Sequence, residues 1–284
     1  MKSIFTILFV AFVVMISFAE VTTSEKDALI KLNQSTKGDQ WTTKWNLKTP
    51  VATWYGVTVL NDKVIAIDLS SNNLSGNLPS EISNLVSITS LVLFQNDISG
   101  EIPASIGELK ALEKLNLSFN KFSGAIPSQL SEATSLRSIE LFMNRLDGVL
   151  PTSFNKLQKL EVLSLYNNQI SGTIPAELYQ IKSLRILQLN SNKLTGKLSS
   201  EIANLTALEN LSLFDNTMVG QVPFDIEKLN NLKEMNISYN SFNGLISAKL
   251  AKKDTFNMTM LNDEGVAITL KIAADKNTAI ATEE

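Results

Sequence analysis

Acid–base chemistry in this sequence would have to run on carboxylates. The 284 residues include no cysteine and no histidine, which removes thiol nucleophiles, histidine bases, Ser-His-Asp triads and the usual His/Cys zinc sites. Carboxylate, lysine and hydroxyl chemistry remain, and the first pairing to test is Glu140 with Glu161. Two carboxyl groups roughly 5 to 10 Å apart can hydrolyse a glycosidic bond. Spacing does not single this pair out, because carboxylates recur at similar separations along the chain, and catalysis needs a third group and an enclosing pocket. The sequence is therefore expected to encode no enzyme, no metal centre and no cofactor site.

A second set of side chains could do recognition chemistry instead. Phe94, Phe142, Tyr166 and Phe214 fall at one recurring position, Phe119, Met143 and Tyr239 at the next, and Val92, Asn116, Glu140, Ser164 and Gln188 two positions earlier. Their meaning depends on the elements that carry them.

Those elements are written as a repeat. Asparagine stands at 72, 96, 120, 144, 168, 192, 216 and 240, each 24 residues after the last, and such a fixed period marks a solenoid. Around each one the chain spells the same phrase, as in "VIAIDLSSNNLSGNLP", "LRSIELFMNRLDGVLP" and "LEVLSLYNNQISGTIP". In L-x-x-L-x-L the last two apolar residues are two apart and share one face of a strand, such as Ile139 and Leu141. A buried asparagine such as Asn144 can bond backbone groups where the coil leaves the strand, so Asn72, Asn96, Asn120, Asn144, Asn168, Asn192, Asn216 and Asn240 are expected to form a structural ladder. A glycine follows each four residues on, suiting a tight bend, and a proline follows in all repeats but two, where Ser199 and Ser247 stand instead. Pairs such as Ile82/Leu85 and Ile106/Leu109 give a short helical turn its inward face. One coil cannot bury both its sides alone, so neighbours must stack.

The L-x-G-x-I-P tail of these copies resembles that of plant-type leucine-rich repeats, found in ectodomains of plant receptor kinases, receptor-like proteins and polygalacturonase inhibitors. The resemblance covers roughly residues 24 to 250. It implies an α/β solenoid: a curved, right-handed superhelix with a parallel β-sheet on its concave face, short helical or 3-10 turns on the convex side and hairpin caps at both ends. Family members close the first repeat with a disulfide around Trp-x-Gly-Val. This chain keeps Trp54, Gly56 and Val57 in "TWYGVTV" without the cysteines, and in that it is similar to exported bacterial or algal relatives. No kinase or membrane-spanning segment follows the repeats, so receptor signalling is not expected to carry over.

Four segments are expected. Residues 1–19 have Lys2, an apolar run from Ile4 to Ile16 and small residues at Ser17 and Ala19, which reads as a secretion signal cleaved near Ala19; the run is shorter than the roughly 20 residues a spanning helix needs. Residues 20–63 form an N-terminal cap, with Ser24 and Asp27 as the capping box of a helix through about Gln34, three tryptophans in place of a disulfide, and a hairpin turning at Asn61-Asp62. Residues 64–250 hold the eight repeats. Residues 251–284 form a C-terminal cap, with Phe256 and Leu261 in phase for a ninth repeat, a turn at "NDEG", the strand "VAITLKI" returning over the edge and a frayed tail. The expected location is secreted, periplasmic or at the cell surface.

Strand alternation turns the recognition set outward onto the concave face, so Val92, Phe94, Asn116, Phe119, Glu140, Phe142, Met143, Tyr166, Gln188, Phe214 and Tyr239 are the candidate contacts. Bulky residues here can simply shield their own sheet. Contiguous exposed apolar surface more often marks an interaction site, and aromatics dominate hot spots. The expected partner is a protein or a polysaccharide, with inhibition of an extracellular hydrolase as the alternative and adhesion to ice or another surface behind both. Nucleic acid and anionic membranes are disfavoured by the net charge of −3, which becomes more negative without Lys2. A column reading Glu113, Arg137, Glu161, Arg185, Glu209 and Lys233 alternates in sign and is expected to set register and solubility. Sequons at Asn33, Asn73, Asn116, Asn204, Asn210, Asn236 and Asn257 are what the repeat consensus writes by chance.

Overall fold

A computed structural model describes residues 20–254, 258–262 and 265–272. The expected leader at 1–19, Phe256, Glu264 and the tail beyond 272 lie outside the described residues. Among the described residues no helix is long and apolar enough to cross a membrane.

The chain winds into a leucine-rich repeat solenoid. Its main sheet has nine strands: Val57–Leu60, Lys63–Asp68, Ser90–Val92, Lys114–Asn116, Ser138–Glu140, Val162–Ser164, Ile186–Gln188, Asn210–Ser212 and Glu234–Asn236. The first two form an antiparallel hairpin through Asn61 and Asp62, both at positive φ, as the paired turn of a tight hairpin requires. Every later pair is parallel, and the register aligns Ile67, Leu91, Leu115, Ile139, Leu163, Leu187, Leu211 and Met235 in one buried row. A one-residue slip would turn that row into water, so the repeat length fixes the register.

The convex side carries one 3-10 turn per coil, from Ser80–Asn84 through Phe224–Lys228. Each buries its third residue, for example Ile106, Leu130, Phe154 and Ile202 at 0% exposure. Proline precedes six of these turns in extended conformation, where its fixed φ fits and no N–H is needed. Serine stands in place of that proline before the turn Ser200–Asn204 and before the short α-helix Ala248–Ala251, and both cases are explained locally. Ser199 accepts the Glu201 N–H at 3.2 Å and Ser247 the Leu250 N–H at 3.2 Å, so serine supplies by side-chain capping what proline supplies by stiffness.

Tyr179 breaks the convex pattern, standing where other turns have Ser83, Gly107, Ser131, Asn155, Ala203 and Glu227. It is 1% exposed, and its hydroxyl lies beside the Ser199 backbone without a hydrogen bond of ordinary geometry. Burial therefore pushes the phenol well above its ordinary value of 10.0. The fold keeps the neutral form, so this contribution is complete below about pH 10 and is lost as pH rises beyond it. Tyr179→Phe should raise unfolding free energy by about 1 kcal/mol at neutral pH. It should also remove a loss of up to about 1.4 kcal/mol per pH unit in the alkaline limb. Urea denaturation on both sides of that limb checks this, and a parallel loss in both proteins would refute the assignment.

The N-terminal cap differs from expectation in one respect. The helix runs Thr23–Ser35 with Thr22 as N-cap and Glu25 completing the capping box, two residues earlier than the Ser24/Asp27 pairing. Glu25 settles it: Oε2 reaches back to Thr22 while Oε1 accepts the Val64 N–H at 3.1 Å, tying helix to sheet. Ala28, Leu29 and Leu32 are fully buried. Trp45 stacks on Trp54 and meets Trp41 edge-on, each pair with centroids 4.8 Å apart. All three indole N–H groups bond backbone carbonyls, of Thr36, Tyr55 and Thr49, so the rings close the end with no polar atom left unpaired.

The C-terminal end departs further. Strand Thr259–Leu261 pairs antiparallel with Ala267–Thr269, and Leu245–Ile246 pairs with Lys271–Ile272, giving the expected returning cover. The in-phase ninth repeat is not kept, however. The Tyr239 N–H bonds Thr259 O, three residues earlier than the Asp215–Ser238 interval would place its partner. Asp254 is the reason. At 7% exposure its carboxylate accepts the Ile237 and Met258 N–H groups at 2.9 and 3.1 Å, so a side chain satisfies the sheet edge where another strand would lie.

Candidate recognition surface

The concave face is set by the asparagine ladder beneath it. Each ring-bearing coil leaves its strand through a residue at positive φ: Ser71, Gln95, Phe119, Met143, Asn167, Ser191, Asp215 and Tyr239 lie between 52° and 57°–58°. The next asparagine turns inward. Asn144 Nδ2 donates to Leu117 O and Leu141 O at 3.0 Å, and its Oδ1 accepts the Phe122 N–H at 3.0 Å. The same bonds recur at Asn120, Asn168, Asn192, Asn216 and Asn240. Carbonyls such as Leu117 O and Leu141 O thus each accept from two successive asparagines. Asn96 takes the Asn72 and Leu74 N–H groups, while Asn72 itself joins the cap by bonding Thr43.

On this base the rings form a continuous path. Phe94 meets Phe119 edge-on at 5.4 Å, Phe119 meets Phe142 edge-on at 5.6 Å, and Phe142 stacks on Tyr166 at 4.4 Å with 10° between planes. Asn190 then interrupts the path, which resumes as an edge-on pair of Phe214 and Tyr239 at 5.1 Å. Phe119 and Tyr239 are exposed at 39% and 41%, and Phe94, Phe142, Met143, Tyr166 and Phe214 are half-buried. Partial burial raises the Tyr166 phenol above its ordinary value, with the nearby Glu140 carboxylate adding to it.

The polar row is less available than strand alternation implied. Val92 and Asn116 are 9% and 8% exposed, so these two are floor and not accessible contacts. Val92 is a short side chain between Asp68 and Asn116 on the adjoining strands. The Asn116 amide is committed, donating to Glu140 Oε2 at 3.0 Å and accepting from the Ser118 N–H and hydroxyl. Glu140 is half-buried and also takes the Ser138 hydroxyl at 3.0 Å, while Gln188 accepts from Ser164 at 2.9 Å. A second carboxylate–amide pair, Asn210 Nδ2 to Glu234 Oε2 at 2.9 Å, lines a depression of about 180 Å³ with Gln188, Ser212 and Asn236. The sequence signal for it is the amide–acid pair Asn210 and Glu234 at the same position of adjacent repeats, which carries no aromatic residue.

The alternating column forms as expected. Arg137 lies 3.9 Å from Glu113 and 2.8 Å from Glu161, Arg185 lies 3.9 Å from Glu161 and 2.5 Å from Glu209, and Lys233 lies 2.5 Å from Glu209. Hydrogen bonds from Lys233 and Arg185 hold the Glu209 carboxyl below its ordinary range. Glu161 is thus engaged by two arginines and Glu140 by neutral donors, so the Glu140/Glu161 pairing is divided between two separate networks. Arg137→Glu with Arg185→Glu is expected to lower the melting temperature more than a charge reversal at a lone surface lysine, and more so at low salt. A loss no larger than at the lone site would show that the column contributes nothing to stability.

Stacked parallel strands, 3-10 turns and an asparagine ladder together define a leucine-rich repeat solenoid. Models of the leucine-rich repeat match residues 134–194 and, separately, 63–85 and 111–133. Among solved structures, the chain is 32% identical to one in the BIR3–SERK2 complex from Arabidopsis thaliana, covering 59% of this chain and 93% of that one with a TM-score of 0.52. It belongs to the leucine-rich repeat family. It is 31% identical to the plant peptide hormone receptor RGFR1, solved in complex with RGF2, over 73% of this chain and 32% of that one with a TM-score of 0.64. This chain therefore spans about a third of that receptor chain. A plant ice-binding protein matches over 90% of this chain and 99% of its own with a TM-score of 0.58, and at 21% identity that likeness concerns the fold alone. No curated protein sequence matches the chain.

Proposed function

We propose that this chain is an exported, non-catalytic recognition module of the plant-type repeat branch, which binds a protein ligand through its concave aromatic path. The observation that carries this reading is the choice of residues at positive φ. That backbone position suits Asn, Asp or Gly, and a bulky side chain there is an outlier. Four of the eight repeats comply with Asp, Asn or small Ser, yet Phe119, Met143 and Tyr239 place large apolar groups there and in reach of water. Strain of this kind concentrates where a ligand is held. Protein is favoured over polysaccharide because sugars stack on several open ring faces, whereas here few are left: Phe142 and Tyr166 each turn one face to the other, Phe119 meets Phe142 edge to face, and the second face of Tyr166 is among the few without an aromatic neighbour.

The test separates this from rings that merely shield their sheet. Phe119→Asn with Tyr239→Asn should raise the melting temperature, by about 1 kcal/mol of relieved strain at each site, and should weaken capture of partners from the source's own surface material. A shielding role gives the opposite pair of results: a less stable protein and unchanged capture. A captured glycan would replace protein with polysaccharide, and a captured hydrolase losing activity on titration would make the module an inhibitor.

A further inference from the structure

The charges of the concave face do not cancel. Arg137, Arg185 and Lys233 are each taken up by Glu113, Glu161 or Glu209, and Lys114, exposed on the strand before that of Glu140, lies outside the stretch from Glu140 to Glu234. Glu140, Asp215 and Glu234 form no ion pair among the described residues; Glu140 lies near Tyr166, Asp215 follows Phe214 in sequence, and Glu234 lines the polar depression on the next strand. Glu140 sits next to the Phe142–Tyr166 stack, fixed by Asn116 and Ser138. Asp215 adjoins Phe214 in sequence, exposed at a positive φ of 56°, and Glu234 lies on the next strand, fixed by Asn210. The two groups are three to four strands apart, or roughly 14 to 19 Å. Between them Asn190 replaces a ring, so the second face of Tyr166 is not taken by an aromatic neighbour.

We infer that the concave face takes a basic polypeptide segment, with lysine or arginine stems lying over the Phe142–Tyr166 and Phe214–Tyr239 pairs and their charged heads at Glu140 and at Asp215 or Glu234. This rests on the protein-binding reading above and adds the chemistry of the partner. A long cationic side chain is the group whose two halves match such a seat, because its alkyl stem covers apolar surface while its head stays charged. Its charge is attracted to the open ring face as well as to the carboxylate. Carboxylates held by amide and hydroxyl donors are already oriented, so an incoming cation need not order them. An acidic segment would meet three carboxylates where, among the described residues, the sheet cations between them, Arg185 and Lys233, are already held in ion pairs, which is how a charged surface rejects the wrong partner.

The experiment selects binders from a display library of random peptides of about twelve residues, long enough to span both seats. Targets are the full chain, a Glu140→Gln/Asp215→Asn/Glu234→Gln variant and a Phe142→Ser/Tyr166→Ser variant, each first shown to melt cooperatively. The expected result is enrichment of lysine and arginine about five residues apart, with binding at least tenfold weaker to the charge-neutralised variant and weakening with salt. Neutral or acidic binders that still require Phe142 and Tyr166 would overturn the basic-partner inference and leave the recognition reading intact. Basic binders retained in full by the charge-neutralised variant would overturn it as well. Binders indifferent to the Phe142/Tyr166 change, or no binders at all, would overturn both.

Discussion

Asn144→Ala is expected to remove about 4 kcal/mol of stability although the side chain is only half-buried. The side chain makes four bonds, donating to Leu117 O, Leu141 O and Phe142 O and accepting from the Phe122 N–H. Leu117 O and Leu141 O keep a donor from Asn120 and Asn168, but the Phe122 N–H loses its partner inside the coil. One orphaned donor costs about 1–3 kcal/mol and each lost bond about 0.5–1.5. Asn72→Ala provides the comparison: its side chain bonds only Thr43 of the cap, so its loss should loosen that end alone. Guanidinium denaturation measures both, and hydrogen exchange should show the Phe122 amide losing protection. A cost below about 1.5 kcal/mol at Asn144 would mean water replaces the side chain and the ladder is not what joins the coils.

Gly107→Ala should be nearly as damaging, at about 3 kcal/mol, for a steric reason. A Cβ at Gly107 would lie 1.9 Å from Gln129 O and 2.6 Å from its carbonyl carbon on the next coil. That obstacle is backbone, so the two convex turns must separate. The equivalent residue one coil on is Ser131, fully buried with its hydroxyl bonded to Ser128 O, and Ser131→Ala should cost about 1 kcal/mol. Comparable melting temperatures for the two alanine variants would show that the turns separate freely.

The repeats were legible because one period fixes everything that stacks: Asn144 appears every 24 residues since each coil must satisfy the same carbonyls. The hairpin at Asn61-Asp62 was legible for a local reason, the positive φ that its turn demands. The N-cap was misplaced because Thr22/Glu25 and Ser24/Asp27 both fit the same spacing, and the contact that decides between them, Glu25 to Val64, is 39 residues distant in sequence. The C-terminal register failed for the same kind of reason, since the burial of Asp254 is set by three-dimensional edges and not by phase. At the concave face the aromatic path could be read from position alone. The covering of Val92 and Asn116 could not, because it depends on the height of side chains on neighbouring strands.

The shared carbonyls also have a mechanical meaning. Every rung grips the coil before it, and the bonds between coils run along the solenoid axis, so a pull on the two ends loads them in series and breaks them one coil at a time. Rupture of one rung would free 24 residues, roughly 80 Å of extended chain, in exchange for about 5 Å of stacked length. A tethered copy would therefore yield in even steps, as a spring with a counted number of turns, and its two ring clusters would be released at different extensions.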